Sequence, residues 1–166
     1  MPPTTRGDAM RATSVAKISS IWIVNKSGGL IFQKTYDDGE DEREWARRRT
    51  GALDTNAHLR LASVWHSLHA ISRKVAPVRG CTGIECLECD TFDLFCFQSS
   101  TGTKFFVTTQ KGSAGSPTTH AALRRAYQAF CDYALKNPFY EVEMPVRCEL
   151  FEANLGNIVR VFNERS

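Results

Sequence analysis

The 166 residues suit one domain of ordinary size, able to bury about 70% of the surface that its unfolded chain exposes. Hydrophobic residues make up 42% and charged residues 23%, which excludes a disordered or fibrous chain, and a formal net charge of +3 is too small for a nucleic-acid footprint. No run approaches the ~20 apolar residues of a membrane helix and the chain start lacks the apolar block of a secretory signal, so a cytoplasmic protein without a transmembrane segment is expected.

Residues 1–17 carry Arg6, Arg11 and Lys17 among threonines, but Asp8 and the early prolines spoil the amphipathic helix of a transit peptide, and a flexible tail is expected. Ile18 to Val24 is rich in β-formers, Asn25-Lys26-Ser27-Gly28-Gly29 is a turn, and Leu30 to Tyr36 is a second β-rich run, so the segment predicts a hairpin. Without an export signal, Asn25-Lys26-Ser27 is a glycosylation sequon in form only. From Asp37 to Asp54 an acidic run precedes Arg47-Arg48-Arg49, which predicts a solvated charged loop over residues 37–54. Leu61, Val64, Trp65, Leu68, Ile71 and Val75 recur at three- and four-residue spacing, predicting one helix face against the sheet and a stop at Pro77. Ile84 to Asp90, Phe92 to Gln98 and Thr103 to Thr109 predict a three-stranded meander. Phe92, Leu94 and Cys96 alternate with Phe95 and Phe97, so both faces of that strand need cover.

Ser116 is placed to cap a helix beginning at Pro117, with Leu123, Tyr127, Phe130 and Ala134 on its apolar face. Asn137-Pro138 ends it, because the residue before a proline is pushed out of the helical region. A connector marked by Pro138 and Pro145 follows, carrying Phe139, Tyr140 and Met144, and a last helix has Phe151, Leu155, Ile158 and Phe162 on one stripe. Large apolar side chains on a connector serve either a partner or the domain's own core, and three of them need not share one fate. The order ββαβββαα with short connections is an α+β arrangement on an antiparallel sheet.

Catalytic chemistry is missing from this pattern. Cys86 and Cys89 have C-x-x-C spacing with Cys81 nearby, but an offset of three on a strand sends the pair to opposite faces, so neither zinc nor a dithiol redox role is expected. His58, His66 and His69 lack a carboxylate or thiol at matching helical spacing. Gly28-Gly29 lies between two strands with no Gly-Lys-Ser/Thr after it, so it is a hairpin turn rather than a phosphate loop. The six cysteines read as small buried hydrophobes, and no cofactor is expected.

The run Ile21-Trp22-Ile23-Val24-Asn25-Lys26-Ser27-Gly28-Gly29-Leu30-Ile31-Phe32-Gln33 resembles the start of a longin-type subunit of the TRAPP vesicle-tethering complex. Leu61 to Ile71, Gly83-Ile84-Glu85, Asp90-Thr91-Phe92 and Gly102-Thr103-Lys104-Phe105 resemble successive family segments, and Leu135 to Phe151 resembles the synbindin group among them. The resemblance covers residues 18–160 and implies a longin-like (profilin-like) fold, a five-stranded antiparallel sheet with one helix on one face and two on the other, in one domain over residues 18–163. It further implies a non-catalytic part in a hetero-oligomer of Bet3-type and longin-type subunits. That assembly acts as guanine-nucleotide exchange factor for a Rab-family GTPase in endoplasmic reticulum to Golgi traffic, peripheral to those membranes. Candidate interface residues are Phe139, Tyr140 and Met144 on the connector, with His66, His69 and Arg73 on the less apolar face of the first helix. Some synbindin-group members carry a PDZ-like insertion where this chain has the charged loop, so a role tied to that insertion is not implied. A small subunit of another coat or adaptor complex is the alternative; a SNARE would need a heptad segment after Ser166.

Overall fold

The computed structural model describes residues 17–36, 55–112 and 117–165, so the expected tail apart from Lys17, the charged loop and the Ser116 cap lie outside the described residues. The elements are β1 (Ile18–Val24), β2 (Leu30–Thr35), α1 (Thr55–Val75), β3 (Cys86–Glu88), β4 (Phe92–Gln98), β5 (Lys104–Gln110), α2 (Pro117–Ala129) running into a π-helical turn (Phe130–Leu135), and α3 (Glu149–Arg165). The fold is α+β, and its five strands form one antiparallel sheet in the order β2-β1-β5-β4-β3.

Alternation along the central strands divides the core in two. Ile21, Ile23, Phe95, Phe105 and Val107 pack with Leu123, Phe130, Phe151 and Leu155 from α2, the π turn and α3. Trp22, Val24, Leu94, Cys96 and Phe106 point the other way and pack with Ala62 and Trp65 of α1. There the Trp22 and Trp65 rings meet edge-on at 4.9 Å, and Trp65 also tilts over Phe106 at 5.6 Å.

The turn residues explain the hairpin. Asn25 Oδ1 accepts the backbone N–H groups of Ser27 at 3.1 Å and Gly29 at 2.7 Å, while Gly28 takes φ 93, where a side chain is strained. The Asn25 amide also donates across the molecule to the Glu143 carbonyl at 3.3 Å, joining the hairpin to the connector. Asn25→Ala is therefore expected to cost about 1–3 kcal/mol, since two turn N–H groups lose their acceptor. Chemical denaturation would read the loss, with a midpoint shift at constant slope.

Two expectations are corrected. The third strand is shorter than the predicted Ile84 to Asp90, because the Ile84 N–H is taken by His69 and the Cys89 N–H turns back to the Phe92 carbonyl at 2.9 Å. The stripe of α1 that meets the sheet is also different. Ala62, Trp65 and His69 are buried, whereas Val64, Leu68, Ile71 and Val75 are exposed, the last two by 54% and 72%. A small residue at 62 admits the helix closely and Trp65 fills the space between strands, so the helix turns its longer apolar row outward.

Candidate partner-binding surfaces

The outward row is a continuous feature. Val64, Leu68, Ile71 and Val75 succeed one another by four, three and four residues, and Leu61, partly buried against the Trp22 cluster, extends the row one turn toward the helix start. Spacing of this kind keeps side chains in line along a helix and forms a seam that another apolar face can enter. Of the first-helix candidates, Arg73 is exposed and His66 is half-buried beside the hairpin, where its ring would lie 3.1 Å from a Cβ on Gly28. Burial, and then the nearby Lys104, hold the His66 pKa below 6.5. His69 is 3% exposed and points into the molecule, so it does not share an exposed face with them. The reason is the rotation of α1 described above, which places His69 one turn beyond Trp65 on the sheet side.

The connector forms a second surface. A widened π-helical turn buries both Phe130 and Ala134 before the helix ends, and the Asn137 N–H then bonds the Ala134 carbonyl at 3.1 Å. Asn137 Oδ1 accepts the Phe139 N–H at 3.0 Å and its carbonyl accepts the Tyr140 N–H at 3.0 Å, folding a tight turn around Pro138. Within this turn the three apolar side chains diverge. Tyr140 is half-buried with its ring 6.3 Å from Phe130, and its hydroxyl donates to the Met144 carbonyl at 2.9 Å. Phe139 is 94% exposed, and Val142, Met144 and Leu150 are exposed near it in the chain. The backbone beneath is tied to the hairpin: the Glu143 carbonyl accepts from the Asn25 amide, Val146 is buried, and the Val146 N–H donates to the Ile31 carbonyl of β2 at 2.8 Å. A rigid frame thus presents apolar side chains to solvent, an arrangement that lowers the entropy lost on binding.

Sequence spacing had placed Val64, Leu68, Ile71 and Val75 in the core; the structure adds them to the surface. Val142 and Leu150 join Phe139 and Met144 for a different reason. Val142 lies on the connector and Leu150 in the first turn of α3 just after it, so their exposure is a matter of how the connector is pinned, which depends on Asn25 and Ile31 more than a hundred residues earlier in the chain. Among the described residues no group of three or more His, Cys, Asp or Glu side chains is arranged to hold a metal ion, no helix is long and apolar enough to cross a membrane, and all six cysteines are free thiols.

Comparison with known proteins adds a family context. Residues 18–162 match the sequence model of the Sybindin-like family. Trafficking protein particle complex subunit 4 of Dictyostelium discoideum is 41% identical over 145 residues, which cover 87% of this chain and 97% of that protein. The Homo sapiens protein of the same name is 50% identical over 103 residues, 62% of this chain but only 46% of the relative, so the chain matches about half the length of the human protein. Trafficking protein particle complex subunit 1 of Dictyostelium discoideum is 26% identical over 137 residues, covering 81% of this chain and 88% of the relative.

Proposed function

Since the chain belongs to the Sybindin-like family, we propose that it is a core subunit of the trafficking protein particle (TRAPP) complex and acts by binding, not by chemistry on a substrate. The observation that carries this reading is the match to subunit 4 along 97% of the Dictyostelium protein, and the exposed apolar surfaces support it as places where neighbouring subunits attach. Residues 18–163 work as one domain in this reading. The Asn163 side chain supports that extent by closing both ends together, accepting the Ile18 N–H at 2.9 Å and donating to the Ile18 carbonyl at 3.3 Å.

Within the complex the subunit contributes to a surface that promotes nucleotide exchange on a Rab-family GTPase in endoplasmic reticulum to Golgi transport, peripheral to those membranes. Such a surface accelerates release by binding the nucleotide-free GTPase more tightly than the loaded form, so it requires shape complementarity and no group with a special pKa. Phe139, Met144, His66 and Arg73 are the exposed or half-exposed members of the proposed interface, and Tyr140 fixes the connector that presents the first two. His69 is assigned an internal role instead.

Affinity purification of the tagged chain, followed by a nucleotide-release assay of the recovered complex on a panel of Rabs, tests the proposal. Recovery of Bet3-type and longin-type subunits with exchange activity supports it; recovery of large adaptor chains without exchange would make this a coat subunit. Phe139→Ala separates binding from folding. The side chain touches little of its own domain, so chain stability should change by less than about 0.5 kcal/mol. Recovery of partners or exchange by the complex should fall about tenfold if Phe139 anchors in a partner pocket. Unchanged recovery and unchanged exchange would remove Phe139 from the interface.

A further inference from the structure

One imidazole helps fasten the segment joining α1 to β3, whose far end is also tied to β4 by the Cys96 N–H, which donates to the Glu85 carbonyl at 2.9 Å. His69 Nδ1 accepts the Ile84 backbone N–H at 3.2 Å, and His69 Nε2 lies 2.9 Å from Gln98 Oε1 on β4. A backbone N–H can only donate, so Nδ1 must be the unprotonated nitrogen and Nε2 must carry the hydrogen that Gln98 accepts. The Cys96 thiol lies 3.5 Å from the same Nδ1. Ser72 Oγ donates to the His69 carbonyl at 2.8 Å, steadying the last turns of the helix. The ring lies so close to the segment that a Cβ on Gly83, which has φ +125, would come within 2.3 Å of it. One neutral side chain therefore ties α1, β4 and residues 81–85 together. The tie matters because β3 has a single strand neighbour, β4, and begins directly after that segment.

We propose that His69 is a pH-sensitive latch, which while neutral holds residues 81–85 and the edge strand β3 in place, and which releases them when the imidazole is protonated. Protonation adds the ring's second N–H hydrogen, on Nδ1 and facing the Ile84 N–H, so two donors oppose each other and that bond cannot survive. The charged and ionisable groups bearing on the ring come from three elements: Arg73 on its own helix, Lys104 on β5, and the Cys96 thiol on β4. The 81–85 segment contributes backbone groups of Thr82 and Ile84. Burial is the largest influence and lowers the His69 pKa from 6.5; the Gln98 bond opposes it, Lys104 and Arg73 add to the lowering, and the Thr82 backbone opposes. A folded pKa below the unfolded value means that the latch contributes fully above about pH 6.5 and is lost as pH falls through the folded pKa.

Hydrogen exchange of the full chain between about pH 7.5 and about pH 5.5, with rates normalised to the intrinsic rate at each pH, tests the latch. Protection of peptides over residues 81–88 should fall about tenfold on acidification while β1 and β5 keep theirs. His69→Asn keeps a neutral acceptor near Nδ1 and cannot titrate, so its protection over 81–88 should not vary with pH. Imidazole nitrogen-15 shifts of the unmodified chain give a readout that does not depend on the variant folding: Nδ1 should be unprotonated at neutral pH, and its protonation should coincide with the loss of protection. Constant protection through that titration, a hydrogen on Nδ1 at neutral pH, or the same pH dependence in a folded His69→Asn would each overturn the proposal.

Discussion

Leu68→Asp combined with Ile71→Asp is expected to abolish recovery of neighbouring subunits while leaving the chain folded. Both positions are exposed on α1, so a carboxylate at either remains hydrated in the free chain, and the pair should alter stability by no more than about 1 kcal/mol. In an assembly the same residues would lie under a partner. Burying a Leu or Ile side chain stabilises by about 1.5–3 kcal/mol, and a carboxylate forced into the same contact adds a desolvation cost, so the two changes together should weaken association by at least about a hundredfold. Far-ultraviolet circular dichroism and the melting temperature check the fold, and co-expression with tagged partner subunits checks the assembly. Wild-type recovery by a folded variant would show that the α1 row is not an interface, and attention would pass to the connector. Loss of folding instead would mean that the row contributes to the domain's own core, contrary to its exposure.

This row also marks where the sequence was and was not legible. Its three- and four-residue spacing correctly predicted a helix, and Pro77 lies just past the end of α1 at Val75. Periodicity identifies an apolar stripe without saying what covers it, and here the sheet takes the adjacent stripe of Ala62, Trp65 and His69. Trp65 lies next to both rows, which is why it is the buried member of the predicted stripe, with Leu61 partly buried against the same cluster. The hairpin was legible for a local reason, since Asn25 makes its turn bonds within four residues. The role of His69 was not, because its partners Ile84 and Gln98 lie 15 and 29 residues further on, and a histidine beside a tryptophan on a helix carries no mark of them. Gly83 was the available signal: a glycine before a strand often marks a close approach, and what approaches it is the His69 ring. The connector stands between these cases. Asn137-Pro138 identified the helix end, while the opposite fates of Phe139 and Tyr140 depend on a turn too tight to read from hydrophobicity.

Phe151→Ala should be among the most damaging single changes in the domain, with a loss of about 3–5 kcal/mol. The side chain is fully buried at the start of α3, meets Phe32 of β2 edge-on at 5.1 Å, and meets Phe130 of the π turn at 6.0 Å. It therefore links an outer strand, the end of α2 and the beginning of α3 at one point, and the connector spans the last two. For a domain of this size the loss corresponds to a melting temperature lower by about 6–20 °C, measurable by calorimetry on the isolated chain. The backbone on three sides is held by the sheet and two helices, so the cavity cannot collapse fully and the cost should lie above the simple transfer term. Damage should also spread along the connector. Val146 bonds to Ile31 next to Phe32, and Tyr140 rests on Phe130, so losing Phe151 loosens both supports of the segment that carries Phe139. Amide exchange in residues 137–148 should rise in Phe151→Ala well below its melting temperature, while α1 and β4 keep their protection. A uniform rise across the whole chain would instead mean that the domain opens only as a unit and that the connector has no separate stability for a partner to exploit.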